Sequence, residues 1–589
     1  MQLNLQQSQQ LFQSGLLLCG DQTASYSMSA FHKIKAYFKI LALAIFVTWV
    51  TPNFFSRFHE LRQSENPIRN RIVLVTLVLA SVYALLSTAY SNIRSLKIIN
   101  FLIFSTSAIT YWAYFTITNQ VIEYGELNTL WLSRADWKAA LHSYSSAVAP
   151  SLFLIVLLCT GMFIKTNINN TLKRYIAPGI FITPLILISI GIMVEKKGGA
   201  AATGLPEHIK SISLLGHITF KELSDTFDDR RTSIQTQPKI KTEDKAPNII
   251  LIIDESIRGD FLSINNTKSH TTPTLESINS ILFNFGYAST SHDCSHYANS
   301  TLRYGTNSHS PRESLLTNPT IWAYAKEAGY STTYIDAQRR MGQLQNFMSP
   351  NERKQIDKFI QFDSVDAVER SNEFVHKDES AAEQISKSLT GKNSQLIIVN
   401  KEGAHTPYEG KYPESAAKFT PKLELGESIF EGQSRIKLVN SYRNAVSWSV
   451  DHFFKILLSK DIDLTNTVII YTGDHGQNLL NSGIATHCTS LAIPEIGVVP
   501  LFFITKNTDA SQWLKIAVLK NFNKASHFNL FKTLLKIMGY DTNSLQITYD
   551  PDLTENLPDE RIWYTGDIIS NNGIKHRFEF SEKNIEKFN

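Results

Sequence analysis

The sequence predicts a two-part protein: an N-terminal domain of five transmembrane helices, then a C-terminal α/β domain with a largely parallel central sheet. Three observations predict it. Long apolar stretches follow one another across residues 36–194, strand-like runs alternate with helix candidates from Ala246 onward, and acidic or histidine residues stand just after several of those runs. With 589 residues the chain exceeds what one core supports. A net charge of +4 on this length leaves no electrostatic footprint for nucleic acid.

The membrane segments run from Ala36 to Phe55, Ile72 to Tyr90, Ile98 to Ile117, Ala147 to Ile164 and Ile176 to Val194. Each approaches the roughly 20 apolar residues that cross a bilayer. Buried helices of a soluble core would show a polar face, and a cleaved signal peptide would leave four further spans unexplained. Lys33, Lys35 and Lys39, then Arg94 and Lys97, then Lys165, Lys173 and Arg174 fall on one side, which the positive-inside rule makes cytoplasmic. The loop 56–71, with Arg57, Arg62, Arg69 and Arg71 against Glu60 and Glu65, opposes that vote and is outnumbered. An odd number of spans then places the C-terminal part outside the cytoplasm. The expected division is a tail and cytoplasmic start over 1–35, the membrane domain over 36–194, a linker with interfacial helices over 195–245 and the outer domain over 246–589. Residues 1–27 are Gln-rich and read as disorder or as an extension upstream of a start at Met28.

In the outer domain the strand-like runs are Ile249–Ile253, Thr332–Ile335, Leu396–Val399, Val468–Tyr471 and Val498–Ile504, with helix candidates at Ile436–Ser459 and Ala381–Leu389. Such alternation predicts a parallel sheet covered by helices. Two short elements, Ile562–Tyr564 and His576–Phe580, follow. There is no internal repeat, phosphate-binding P-loop or Gly-rich dinucleotide fingerprint. Four cysteines form no C-x-x-C and no disulfide framework. Cys294 and Cys488 both adjoin candidate site residues, and pairing or two buried thiols both remain open.

Open α/β sheets place their chemistry at strand ends. Asp254-Glu255 ends the first run, His405 follows the third, and Asp474-His475-Gly476 ends the fourth, with His487 twelve residues past His475. Two carboxylates and three imidazoles at one edge suit zinc, which takes His nitrogen and carboxylate oxygen. Paired metals suit phosphoryl or sulfuryl transfer.

These motifs carry a resemblance. Ile253-Asp254-Glu255-Ser256, Gly403-Ala404-His405-Thr406-Pro407-Tyr408, Asn440-Ser441-Tyr442-Arg443-Asn444 and Asp474-His475-Gly476 with His487, behind five spans, resemble the phosphoethanolamine transferases of lipid A or lipopolysaccharide core, in the alkaline-phosphatase/sulfatase superfamily. The resemblance covers roughly residues 30 to 580. It implies that Glu255, Asp474 and His475 bind a catalytic zinc together with the nucleophile, and that His405 and His487 hold a second zinc or the substrate phosphate. Asp254 matches the paired acids of sulfatases rather than the transferases. The nucleophile segment is Ser291-His292-Asp293-Cys294-Ser295-His296-Tyr297-Ala298-Asn299-Ser300. The resemblance to sulfatases, which keep an apolar residue seven and a glycine ten past the nucleophile, implies Ser295, counted to Leu302 and Gly305, with Cys294 and Ser291 as alternatives, or a Ser that acts only as a helix cap. A hydroxyl at a helix N-terminus beside zinc is readily ionised. His405, His487, Asn299 and Glu123 are the expected substrate contacts, Glu123 for an ethanolamine ammonium in the loop 118–146, where Trp131 and Trp137 read as interfacial anchors.

The chain departs from that family at Gln477, where Glu is usual, at Asn400, where His is common, and in lacking the several usual disulfides. The expected reaction is zinc-dependent transfer of phosphoethanolamine from phosphatidylethanolamine to lipopolysaccharide or another envelope glycan through a covalent enzyme intermediate. It would take place at the inner membrane of a Gram-negative bacterium, with the catalytic domain in the periplasm. The rivals are a membrane-anchored phosphoglycerol transferase, a sulfatase and a non-catalytic envelope scaffold.

Overall fold

A computed structural model describes residues 34–580 apart from short internal stretches, the longest being 225–230, 239–245, 363–369, 428–434, 482–486 and 569–574. The Gln-rich stretch 1–27 lies outside the described residues. Contacts divide the chain into two compact units, Met1–Trp131 with Tyr144–Leu223, and Leu132–Ser143 with Ser224–Asn589.

In the first unit, among the described residues, three helices are long and apolar enough to cross a membrane: Pro67–Tyr90, Arg94–Thr116 and Ala177–Val194. The first expected span is instead a pair, Ile34–Trp49 and Phe54–Gln63, bent by 47°. Pro52 lies in the break, where it lacks the N–H a continuous helix needs. The fourth expected span falls within the 27-residue helix Trp137–Phe163, of which the described apolar part is Ser151–Phe163. Among the described residues, three helices, or four spans with the bent pair, have the length and composition to cross a membrane, so the expected five are not shown.

The basic residues of the sequence argument come together. Lys39 Nζ donates to Ala89 O at 2.7 Å and Ile164 O at 3.0 Å, and Lys97 Nζ donates to Met162 O at 3.0 Å. Two cations thus satisfy carbonyls left open at helix C-termini. Residues Glu207–Ser224, expected to be linker with interfacial helices, form a helix. Its Lys210 is buried between Glu207 at 2.5 Å and Glu123 at 3.3 Å. Trp131 packs partly buried against this unit's core; the side chain of Trp137 lies outside the described residues.

The second unit is built on a seven-stranded sheet in the order β2-β7-β6-β1-β5-β3-β4. The strands are β1 Asn248–Asp254, β2 Leu282–Ser289, β3 Ser331–Asp336, β4 Lys358–Gln361, β5 Gln395–Asn400, β6 Thr467–Gly473 and β7 Val498–Ile504. β6, β1, β5, β3 and β4 run parallel, and β7 is antiparallel to both β6 and β2. β2 therefore points the same way as the parallel strands, and six of the seven C-terminal ends lie on one edge.

β1 alternates between two cores. Ile249, Leu251 and Ile253 pack into one and Ile250 and Ile252 into the other, so a strand apolar at every position is buried on both faces. Register aligns the chemistry: Asp254 pairs with Gly473, and Ile253 with Asn400. Glu255, Asp474 and Lys401 thus leave neighbouring strands side by side. β8 Arg561–Gly566 and β9 Lys575–Phe580 form a separate hairpin. It grips the segment after β2, with Tyr564 N donating to Ser291 O at 2.9 Å and Asp293 N donating to Tyr564 O at 3.1 Å.

Candidate active site and metal centre

Ser295 is the first residue of the helix Ser295–Tyr304, and Cys294 is its N-cap. Ser295 is thus not the cap, and its hydroxyl faces the β1 and β6 ends. Oγ donates to Glu255 Oε1 at 3.2 Å and lies 3.1 Å from His475 Nε2. His475 Nε2 is 3.3 Å from Glu255 Oε1 and 3.6 Å from Asp474 Oδ2. Four of the predicted residues form one buried knot. Of the two alternatives, Cys294 is in a disulfide with Cys488, and Ser291 Oγ is buried without a hydrogen-bond partner among the described residues.

Ligand atoms of Glu255, His475 and His487 lie within 4.8 Å of one another. His487 stacks on His475 with ring centroids 4.2 Å apart; His405 stands further out, 5.8 Å from His487. All three imidazoles have Nδ1 beside an oxygen: Gly476 O at 2.7 Å for His475, Gln477 Oε1 at 2.8 Å for His487 and Thr406 O at 2.7 Å for His405. With Nδ1–H donated there, each Nε2 keeps its lone pair for a ligand, the arrangement that metal-binding histidines need. Gln477, the departure from the family's Glu, still supplies the oxygen that orients His487.

A metal is further supported by a buried atom without a partner. Asp474 Oδ1 accepts from Ser256 N at 2.9 Å and His475 N at 2.7 Å, whereas Oδ2 accepts no hydrogen bond. Burial and the adjoining Glu255 carboxylate push Asp474 well above the usual carboxyl range. Burial opposes a charge on His475, yet Asp474 and Glu255 together raise its pKa to about 9. Burial would also raise Glu255, but the hydrogen bond and charge of His475 hold it well below its ordinary value. Without metal, the cluster of Glu255, Asp474 and His475 therefore retains a proton where a cation would sit. Carboxylate and imidazole donors in this arrangement fit zinc. A second group, His292, Asp293 and Cys294, has its sulfur committed to the disulfide.

Asp254 does not join the knot. Successive strand residues face opposite sides, so Asp254 points away from Glu255. Its Oδ2 meets Lys401 Nζ at 2.6 Å and Tyr471 OH at 2.7 Å. Tyr442, from the motif Asn440–Asn444, donates to Ser256 O at 2.6 Å and accepts from Arg258 N at 2.9 Å, fixing the loop after β1. Ser256 itself has φ +60°, a left-handed conformation rare outside glycine. Gly403 at φ +59° is required: a Cβ there would stand 2.5 Å from Asp254 Oδ1 and Glu255 O.

Sequence reasoning missed Gln338. Its Nε2 donates to Glu255 Oε2 at 3.1 Å and Lys401 O at 2.8 Å, holding the second oxygen of the carboxylate. It stands two residues past the end of β3, so the strand-end rule used for the other strands would have found it. Asn299 is fully buried and turns back on its own helix, donating to Ser295 O at 3.1 Å. Glu123 belongs to the other compact unit, where it pairs with Lys210.

Residues 247–540 match the profile of the Sulfatase family, and with the strand-end donors they define a sulfatase-family domain. The chain is 24% identical over 515 residues to Kdo(2)-lipid A phosphoethanolamine 7''-transferase of Escherichia coli strain K12, covering 80% of this chain and 87% of that protein. It is 23% identical over 566 residues to phosphatidylethanolamine transferase Mcr-1 of Escherichia coli, covering 87% and 96%. The fold is that of the integral membrane protein lipooligosaccharide phosphoethanolamine transferase A of Neisseria meningitidis, with a TM-score of 0.63 at 16% identity over 89% of this chain and 99% of that one. Residues 247–540 are a Sulfatase-family domain, the chain is similar over most of its length to phosphoethanolamine transferases, and it is an enzyme of the phosphotransferase class.

Proposed function

We propose that this protein transfers phosphoethanolamine from phosphatidylethanolamine to a lipopolysaccharide hydroxyl or phosphate, on lipid A or core sugar, by way of a covalent intermediate on Ser295. The observation that carries the reading is the placement of Ser295 Oγ within 3.2 Å of both Glu255 Oε1 and His475 Nε2, in a chain whose relatives are named for this transfer. The protein would sit in the inner membrane of a Gram-negative bacterium, with residues 36–194 in the bilayer and 246–589 in the periplasm.

Glu255, Asp474, His475 and Ser295 would hold a zinc ion, which when bound stabilises an ionised hydroxyl and the charge gathering on phosphate oxygens. In the first half-reaction Ser295 Oγ attacks phosphorus, its proton directed at Glu255 Oε1. The bond from phosphorus to the glycerol oxygen breaks, and diacylglycerol leaves with a proton. In the second, an acceptor oxygen displaces Ser295 and the proton returns to Oγ. His405 and His487 hold the phosphate or a second metal. Because His487 donates through Nδ1 and presents a bare Nε2, it suits a metal better than a phosphate oxygen. Gln338 holds Glu255 in place, and Asn299 fixes the first helical turn behind Ser295. On the membrane unit, Glu123 and Glu207 share Lys210.

The sulfatase reading loses ground because Cys294, the residue that would need conversion for that chemistry, is bonded to Cys488. Mass spectrometry of lipopolysaccharide from cells with and without this protein tests the proposal. A gain of one phosphoethanolamine is expected; unchanged lipopolysaccharide together with sulfate release from an arylsulfate would replace it with the sulfatase reading.

A further inference from the structure

The disulfide Cys294–Cys488 joins positions 194 residues apart with Cα atoms 4.5 Å from each other. Each half adjoins a site residue. Cys294 caps the helix that begins at Ser295, and Cys488 directly follows His487. A backbone bond runs beside the covalent one, from Cys488 N to Asp293 O at 3.0 Å.

The Cys294 side is part of a fixed platform. Thr290 Oγ1 donates to Asp474 O at 2.5 Å, and β8 pairs with Ser291 and Asp293. Glu255 and His475 likewise leave β1 and β6 within two residues of strands held in register. His487 alone of the ligand group lies far from a strand, fourteen residues past Gly473, the end of β6. A ligand that far in sequence from the nearest strand loses more conformational freedom on being placed, and a cross-link beside it removes much of that cost beforehand.

We propose that the Cys294–Cys488 disulfide is the positioning element that delivers His487 to Glu255 and His475, tying the loop ligand to the helix end that carries Ser295. The inference rests on the metal reading given above. A disulfide that only stabilised the domain would leave the contribution of His487 to metal binding intact. A positioning disulfide makes that contribution depend on the bridge.

The full-length protein in detergent tests this with four forms: wild type, His487→Ala, Cys294→Ala/Cys488→Ala, and the triple variant. Zinc affinity is read by competition with a chromogenic chelator. Loss of the bridge should weaken zinc by roughly tenfold to a hundredfold, as loss of supporting groups around a metal does. His487→Ala should do the same in wild type but change the bridge-less protein by less than about twofold, because coupled residues are not additive. Wild-type affinity without the bridge, or an equal loss from His487→Ala in both backgrounds, overturns the proposal.

A second readout needs no metal. Diethylpyrocarbonate labelling of His487 in chelator-stripped protein, followed by peptide mass spectrometry, should be several-fold faster without the bridge, while the buried His527 stays protected as a folding control. Equal rates at His487 overturn the proposal even if zinc never binds; absence of zinc from wild type overturns the metal reading alone. Should His527 also label, the same measurement moves to folded wild type reduced by a water-soluble phosphine. The phosphine passes two electrons to the disulfide and becomes its oxide by taking oxygen from water, and the same outcomes decide.

Discussion

Lys401 Nζ lies 2.6 Å from Asp254 Oδ2 in a fully buried ion pair directly behind the strand end that presents Glu255. Asp378 completes it at 3.6 Å, while its own oxygens cap Glu402 N at 2.9 Å and Gly403 N at 3.2 Å. Burial raises Asp254 against the pull of Lys401, to about 6. One cation thus ties the ends of β1 and β5 together.

Removing that cation should be severe. Lys401→Met leaves two buried carboxylates uncompensated, a change that costs about 3–5 kcal/mol where it has been measured. Urea denaturation of the full chain in detergent should show a loss of this size, and Lys401→Met/Asp254→Asn should recover part of it. Loss below about 1 kcal/mol would mean that water or a rearranged side chain replaces the lysine.

Ser295→Ala should abolish diacylglycerol release from phosphatidylethanolamine while leaving most zinc bound, since Glu255, Asp474 and His475 remain. Peptide mass spectrometry of wild-type enzyme trapped without acceptor should find phosphoethanolamine on Ser295. An adduct on Ser291 instead would keep the reaction and move the nucleophile.

Metal content should follow the knot. The full-length protein is expected to carry one to two zinc ions, as the donor count allows. His475→Ala and Asp474→Ala should each lose the tighter ion by elemental analysis after dialysis. Wild-type zinc in both variants would remove the ligand assignment.

Stability should fall in mild acid through His527. This fully buried ring places Nε2 2.9 Å from Gly473 O, and its Nδ1 accepts from Ser291 N at 3.4 Å. Burial and the neighbouring His475 charge lower its pKa to about 3. The unfolded chain takes up the proton near pH 6.5, so the stability is present above that value and is lost as pH falls from about 6.5 toward 3, at about 1.4 kcal/mol per pH unit for one proton. His527→Gln should flatten the drop in melting temperature between about pH 6.5 and 5, and an unchanged slope would assign the drop to other groups.

Topology is open to a direct check. A reporter fused after residue 200 should be active outside the cytoplasm and one fused in the 165–174 loop should not. The reverse pattern would give the vote to the basic loop 56–71.

The central strands were legible because burial on both faces makes them apolar throughout: β1, β5, β6 and β7 stand within one or two residues of the expected runs. β2 and β4 were not. β2 carries Asn284 and Gly286 at an edge with a register shift, and β4 has four residues, so neither shows a continuous apolar run. Glu255, Asp474 and His475 stand out in the sequence as candidates because they follow the ends of apolar strands, whereas Ser295 and His487 lie away from strand ends and stand out only through spacing and the resemblance. The opposed directions of Asp254 and Glu255 follow from strand alternation, which motif matching ignores. Gln338 and Lys401 carry no motif, yet both stand within two residues of a strand end, where the rule used for the acids and histidines applies to them as well.

The strand order has a consequence for biogenesis. β1 lies between β5 and β6, and Ser295 meets His475 across 180 positions of sequence. A chain exported only as far as residue 460 would already display Glu255, Ser295 and His405, yet hold neither Asp474 nor His475. It would have no tight place for zinc and no means of attacking a lipid. On the function proposed above, metal would then be acquired only after translocation is nearly complete, from the pool outside the cytoplasm, and starvation of that pool would leave inserted but inert protein in the membrane.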